Sequence, residues 1–264
     1  MLVPIREGFR ITALYHLIFD RIFPSDMSFG GEAHDFYELV YVESGEIEVT
    51  EDEEVYRLGE GDLILHAPME FHRIRSSGGT EPHVFNLSFV AEGDLPEELT
   101  GGVFALDGAR RAEFLEVFRF ALDTWQENAA APAISTEMQA RLTLFLLHLG
   151  ERRAQDDKTA PVRAYHTLVR LMSETVAENL SLEEIAARSF LSVSYVKALF
   201  HRYAGIGPRA YYNALRLRTS CRLLAEGRSV AEVSEQMHFS SPNNFIRFFK
   251  AKTGATPLQY KRGE

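Results

Sequence analysis

Two stretches near the carboxyl end of the chain share one pattern of apolar and polar positions. Apolar side chains recur at i, i+3, i+4 and i+7 within residues 192–203, and the same spacing recurs within residues 241–252, where the aliphatic stem of Lys252 takes position i+7. Each pattern predicts an amphipathic helix. A short helix is predicted before each of them, because Ser181 and Ser229 are followed three residues later by Glu, the spacing of a capping box. Each stretch therefore predicts two helices joined by a turn, the arrangement of a helix-turn-helix.

The two stretches align as copies of one unit. Equivalent positions differ by 48 before the turn, as for Ile185 and Val233, and by 49 after it, as for Gly205 and Gly254. One additional turn residue in the second copy accounts for the change, and a repeat at fixed period is a strong sign of organisation. The two glycines stand where a helix end favours a left-handed residue. Residues 208–226 predict a long helix that joins the copies.

The second copy carries a family signature in its sequence. Phe245-Ile-Arg-Phe-Phe-Lys250, followed by Gly254, Pro257 and Tyr260, resembles the C-terminal DNA-binding domain of the AraC/XylS family of transcription factors, and the resemblance covers about residues 165–262. It implies a transcription regulator, more often an activator, that acts on RNA polymerase. The family usually has Gly in each turn, whereas this chain has Phe190 and His238.

The faces of the two longer helices that point away from their apolar positions hold the candidate DNA contacts. A helix-turn-helix places its second helix in the major groove, and two such helices enter successive grooves when they lie about 34 Å apart. Arg247 and Asn243 suit guanine and adenine, so we expect the second copy to read bases more directly than the first, where Ala198 offers only a methyl group. The predicted DNA-binding residues are Ser192, Ser194, Lys197, Ala198, His201, Asn243, Asn244, Arg247 and Lys250.

Short alternating runs separated by Gly-containing turns occupy residues 34–89, which predicts an antiparallel barrel or sandwich. His34 and Glu38, followed by Gly45, resemble the end of the first cupin motif, and Gly61-Asp62 with His72 resembles the second. The resemblance implies a jelly-roll sensor domain. The predicted fold is therefore a multidomain α and β chain, with an N-terminal antiparallel β-barrel (cupin or jelly roll) and a helical hairpin, followed by an all-α domain with two helix-turn-helix motifs.

The mouth of a small barrel is the default place for a ligand. The predicted effector contacts are His34, Glu38, His66, His72 and Asn86, and polar groups of this kind favour a sugar or a similar polar metabolite. Metal-binding cupins use the positions of Glu32, His34, Glu38 and His72, which leaves a metal-dependent enzyme as a second hypothesis. A barrel that only dimerises is a third. We predict no metal, no cofactor and no catalytic residue.

Two amphipathic stretches, 109–128 and 136–153, predict a helical hairpin that either covers the barrel or pairs across a homodimer, and the resemblance favours the dimer. A polar stretch without periodicity follows. The predicted domains are residues 1–105 for the sensing barrel, 106–153 for the dimerising hairpin, 154–162 for the linker and 163–264 for DNA binding.

The charge is divided unevenly along the chain. Residues 160–264 carry 15 Lys and Arg against 8 Asp and Glu, whereas residues 1–159 carry 13 against 30. A basic C-terminal part on an acidic N-terminal part fits a nucleic-acid reader joined to a domain that avoids DNA. One cysteine, Cys221, and the lack of an apolar run of about 18 residues or of a signal pattern predict a cytoplasmic protein without a membrane segment.

Overall fold

The computed structural model describes residues 8–93, 95–127, 135–150 and 159–262. The chain divides into two compact units with the boundary between Lys158 and Thr159. The N-terminal unit contains the strands and two helices, and the C-terminal unit contains only helices. Among the described residues, no helix combines the length and the apolar character that a membrane span needs.

The N-terminal unit is built from two antiparallel sheets. The strands are β1 Arg10–Ile22, β2 Tyr37–Ser44, β3 Ile47–Glu51, β4 Glu54–Leu58, β5 Asp62–His66, β6 His72–Ser76, β7 His83–Glu92 and β8 Val103–Ala105. One sheet has the order β1-β7-β2-β5-β8 and the other β4-β3-β6. The antiparallel β-domain is confirmed, but within the described residues the two sheets do not close into the predicted barrel. They form the sandwich arrangement instead.

Both faces of the five-stranded sheet are buried. Alternate residues such as Leu39 and Tyr41 pack against helices α1 Gly108–Glu127 and α2 Thr136–Leu147. The residues between them, such as Val40 and Val42, share a core with the three-stranded sheet. A strand buried on both faces reads as continuously apolar, which is why alternation along β2 did not reveal the face that carries polar function.

The C-terminal unit contains the two predicted helix-turn-helix copies. Its helices are α3 Ala160–Glu174, α4 Leu182–Arg188, α5 Val193–Tyr203, α6 Pro208–Ala225, α7 Val230–Gln236, α8 Pro242–Thr253 and α9 Pro257–Arg262. Both capping boxes are present and have the same geometry. The backbone N–H of Glu184 donates to Ser181 Oγ over 3.2 Å, and Glu232 donates to Ser229 Oγ over 3.2 Å. Gly205 and Gly254 are left-handed, as predicted.

Two element boundaries differ from the sequence prediction. Helix α2 ends at Leu147, not at 153, and Gly150 beyond it is left-handed with φ 83°, a conformation that a helix cannot continue through. Helix α3 begins at Ala160, inside the predicted linker, with Pro161 in its first turn, where proline is well tolerated. The rest of that linker, residues 154–158, and the loop of the hairpin, residues 129–132, lie outside the described residues.

Candidate functional site

The five predicted effector contacts lie together between the two sheets. The register of β2 with β5 sets Glu38 opposite His66, and its register with β7 sets Glu38 opposite Ser88 and Val40 opposite Asn86. His72 begins β6, directly opposite Glu51 of β3. Because residues two apart on a strand share a face, Glu38 and its neighbours converge on one spot from three strands and the second sheet.

Glu38 is the centre of this cluster. Its side chain is buried, and its carboxylate Oε2 lies 3.0 Å from His72 Nε2 and 3.7 Å from His34 Nε2. The amide of Asn86 donates to Oε1, and Ser88 Oγ donates to the Asn86 carbonyl over 3.0 Å. Burial alone would raise the pKa of Glu38, but its contacts with His34 and His72 outweigh burial and hold that pKa below its usual range. The cluster therefore contains a buried, ionised carboxylate.

The pKa values of His72 and His66 are shifted in opposite directions. Burial lowers the pKa of His72, but the contact with Glu38 outweighs it and leaves the pKa raised. His66 stacks on His72 with ring centroids 4.2 Å apart, and burial together with the charge of His72 lowers the pKa of His66 to about 3. His66 is consequently neutral near pH 7 and its Nδ1 donates to Glu51 Oε1 over 2.9 Å. Its buried Nε2 is then an acceptor, without a hydrogen-bond partner among the described residues.

A small cavity opens onto this cluster. Its volume is about 130 Å³, and Glu38, His72 and Asn86 line it, whereas His34 and His66 are not among its lining residues. Phe19, Phe29 and Ile74 supply apolar walls, and Gly30, Glu32 and Arg73 complete the lining. Apolar walls around a few convergent polar groups are typical of a small-molecule site. The apolar part of this lining was missed from the sequence, because β1 and the loop after it carry no motif.

The metal alternative has partial geometric support. One nitrogen or oxygen atom from each of His34, Glu38 and His72 lies within 4.8 Å of the others. Glu32, the fourth position of the motif, joins His72 through the backbone, with Glu32 N donating to the His72 carbonyl over 3.0 Å. It does not take part in the three-residue group. The donor set is therefore less complete than the cupin motif implies.

The predicted DNA contacts lie on the outer faces of α5 and α8. The buried side of α5 carries Val196, Leu199, Phe200 and Tyr203, and that of α8 carries Phe245 and Phe249. Eight of the nine predicted residues are exposed and Asn244 is half-buried: Ser192, Ser194, Lys197, Ala198, His201, Asn243, Arg247 and Lys250 form the exposed set. Their contact with DNA stays a prediction, but each side chain points where a duplex can reach it.

Hydrogen bonds at the start of each helix involve several of the predicted DNA contacts. Ser192 and Ser241 are N-caps, accepting from the backbone N–H of Tyr195 and of Asn244, each over 3.2 Å. Asn244 also accepts a hydrogen bond from the Arg247 guanidinium. The guanidinium of Arg247 is thus directed along the outer face of α8 before any DNA is present. Ser192 has a structural role as a cap in addition to its predicted contact.

Comparison with known proteins agrees with both units. Residues 185–263 match the helix-turn-helix domain family and residues 19–143 match the AraC-like ligand binding domain family. The uncharacterised regulator YisR of Bacillus subtilis is 23% identical over 260 residues, covering 88% of this chain and 89% of that protein. The transcriptional activator RhaS of Escherichia fergusonii is 23% identical over 242 residues, covering 87% and 86%.

Among solved structures, ToxT of Vibrio cholerae is similar over 97% of this chain and 98% of its own, with 14% identity and a TM-score of 0.39. The family assignment depends on the two domain matches. The ligand-binding match lies in the N-terminal unit and the helix-turn-helix match lies in the C-terminal unit. The chain belongs to the AraC family of transcriptional regulators, with a ligand-binding domain at its N-terminal end and a helix-turn-helix DNA-binding domain at its C-terminal end.

Proposed function

We propose that a small polar effector binds in the cavity above Glu38 and changes the affinity of the C-terminal unit for DNA. The observation that supports this most is the ionised Glu38 carboxylate on the cavity floor, next to His72 and below apolar walls. A buried carboxylate favours a ligand that donates hydrogen bonds through hydroxyl groups, such as a sugar or a similar metabolite. The chain then acts as a regulator and not as an enzyme.

A larger groove in the same unit is a weaker candidate. Its volume is about 830 Å³, and six of its lining residues are acidic: Glu51, Asp52, Glu53, Glu54, Glu70 and Glu98. Burial and the neighbouring Glu51 raise the pKa of Glu70 to about 7, so mutual repulsion in this groove is relieved by protonation. It lacks the combination of apolar walls and convergent polar groups that the smaller cavity has.

An effector acts through differential affinity. It must bind one arrangement of the chain better than another, and the DNA affinity changes by the same coupling free energy. In this proposal, residues 1–105 bind the effector, residues 106–153 form the dimer contact, residues 154–162 link the units and residues 163–264 bind DNA. Similarity to the activator RhaS favours activation over repression for this chain as well. As an activator in the cytoplasm, the DNA-bound regulator would contact RNA polymerase.

Replacing Glu38 by glutamine should weaken binding of the effector about 10- to 150-fold. Loss of a charge-assisted hydrogen bond costs about 1.5–3 kcal/mol, which corresponds to that factor in affinity. A metabolite panel in a thermal-shift assay on the full chain identifies the ligand, and titration calorimetry then compares Glu38→Gln with the parent. Glu46→Gln, an exposed position with the same change of charge, is the matched control.

An effector that binds Glu38→Gln as tightly as the parent would contradict this site. Metal analysis of the same protein, purified without added metal, separates the enzyme alternative. Stoichiometric metal that disappears in Glu38→Gln would support metal chemistry at His34, Glu38 and His72 instead.

We propose that α2 mediates a homodimer. Leu144 and Leu147 are 52% and 55% exposed, although neighbouring Phe145 and Leu146 are buried. Exposed leucines side by side on a helix surface favour burial against a second copy. Replacing both by serine should weaken dimerisation by about tenfold or more, since each buried leucine contributes up to about 1.5–3 kcal/mol. Sedimentation velocity across a concentration series measures this.

The control for the dimer experiment is Leu258→Ser on α9, where the leucine is equally exposed at 52%. This substitution should leave the dimer unchanged. If the double variant and the parent sediment identically at every concentration, α2 is not the dimer contact.

A further inference from the structure

Phe190 and His238 occupy the same place in the two helix-turn-helix turns, and both are left-handed, with φ of 56° and 49°. The hydrogen bonds of the two turns require the left-handed conformation. Phe190 N donates to the Ala187 carbonyl over 3.2 Å, and Leu191 N to that of Ala186 over 3.0 Å. This is a Schellman motif, in which glycine usually takes the left-handed position. His238 and Phe239 repeat it with Glu235 and Ser234, over 3.0 and 2.9 Å.

A phenylalanine in this position strains the backbone, and its side chain does not compensate for that strain. A residue with a Cβ is strained in the left-handed region, because the Cβ approaches the following carbonyl oxygen. The ring of Phe190 is also 95% exposed, so it contributes almost no burial within the fold in return. Glycine would relieve the strain and expose no ring. The backbone is therefore held in an unfavourable state by a residue whose side chain contributes little to this unit, which indicates a contact outside it.

The duplication indicates what that contact is. Each turn lies just before the N-cap serine of a helix predicted to present its first turns to a major groove, with one residue between Phe190 and Ser192 and two between His238 and Ser241. A partner that meets both turns in equivalent ways must itself repeat, and duplex DNA repeats once per helical turn. An aromatic ring can pack on a deoxyribose, and an imidazole N–H can donate to a phosphate oxygen.

We propose that Phe190 and His238 contact the DNA backbone beside the two grooves that α5 and α8 enter, Phe190 on a sugar and His238 on a phosphate. These contacts raise affinity for any sequence and do not read bases. The proposal extends the DNA-binding role of the C-terminal unit to residues outside the reading helices.

The test is Phe190→Gly in the full chain, with stability and DNA affinity measured on the same preparation. Chemical denaturation should show a higher midpoint, because the strain is removed. The dissociation constant should rise about three- to tenfold, by the same factor for a duplex selected by the parent protein from a random pool and for a duplex of scrambled sequence. His238→Gly should show the same two changes, a higher denaturation midpoint and weaker binding to both duplexes. Met69→Gly, which relieves a left-handed residue at φ 63° in the N-terminal unit, should leave DNA binding unchanged.

Unchanged affinity of Phe190→Gly for both duplexes would overturn the proposal, and so would intact DNA binding with lost transcription, which would assign the ring to a protein partner. Arg247→Ala is measured in parallel. If it loses affinity for the selected duplex while Phe190→Gly does not, the proposal fails and DNA reading by α8 stands.

Discussion

Replacing Arg216 by methionine should destabilise the C-terminal unit by about 3 kcal/mol or more. Arg216 lies on α6 and is 1% exposed. Its Nη1 donates to the Val176 carbonyl over 2.8 Å and its Nη2 to the Met237 carbonyl over 2.6 Å. The guanidinium also lies 4.7 Å from the ring centroid of Phe239. Methionine fills similar volume but leaves buried carbonyls without donors, and each such group costs about 1–3 kcal/mol.

The position of Arg216 explains why this loss matters for DNA reading. Val176 follows α3, whereas Met237 caps α7 at the turn of the second helix-turn-helix. The guanidinium therefore fixes the second turn against the start of the unit. Arg216→Lys keeps the charge but lacks the planar fork that reaches both sides, so we expect an intermediate loss.

Two signals separate the units in this experiment. Trp125, the single tryptophan, lies on α1 of the N-terminal unit, so its fluorescence reports that unit, while circular dichroism at 222 nm is dominated by the helices of the C-terminal unit. Arg216→Met should move the dichroism transition in urea and leave the tryptophan transition in place. Arg222→Met, which breaks an exposed pair with Glu226 on the same helix, should shift neither by more than about 0.5 kcal/mol. Equal shifts of both signals in Arg216→Met would contradict this account.

The second large effect is expected for Arg247→Ala. The guanidinium is exposed on α8, and Asn244 accepts a hydrogen bond from it. A bidentate contact with guanine contributes about 1–3 kcal/mol of discrimination. The variant should lose about 5- to 150-fold in affinity for the selected duplex and relax the preference at one base pair. Fluorescence anisotropy at fixed salt with the selected and a scrambled duplex measures both.

Two matched variants separate base reading from charge. Arg247→Lys keeps the positive charge without the fork, so it should lose most of the discrimination while retaining affinity for the scrambled duplex. Lys250→Ala, on the same exposed side, should weaken binding to both duplexes by the same factor and reduce the salt dependence of the affinity. An equal loss of Arg247→Ala on both duplexes would show that Arg247 contacts phosphate only.

The parts of the fold that follow from local pattern could be predicted. Ser181 with Glu184, and Ser229 with Glu232, cap their helices as the sequence spacing indicates. Both glycines after α5 and α8 are left-handed. Motif resemblance supplied His34, Glu38 and His72 among the five predicted effector contacts, and strand register brings Glu38 close to His66 and Asn86. Their contact with an effector stays a prediction.

Features that depend on distant packing could not be predicted. Arg216 is charged and lies between Leu215 and Leu217 on the long helix predicted over residues 208–226. No local pattern shows that the carbonyls of Val176, Ala177 and Met237, from elsewhere in the unit, converge on it. The division of the strands into two sheets, in place of one closed barrel, likewise depends on strand pairing across long sequence separations. The cavity walls at Phe19 and Phe29 depend on β1 lying beside β7.

We propose that α5 and α8 read successive major grooves on one face of a duplex. Methylation protection of guanine N7 by the full chain, on a duplex selected from a random pool, tests it most directly. Two groups of protected guanines about 10–10.5 base pairs apart on the same face are expected, with the group under α8 lost in Arg247→Ala. A single protected group that survives this substitution would contradict the claim.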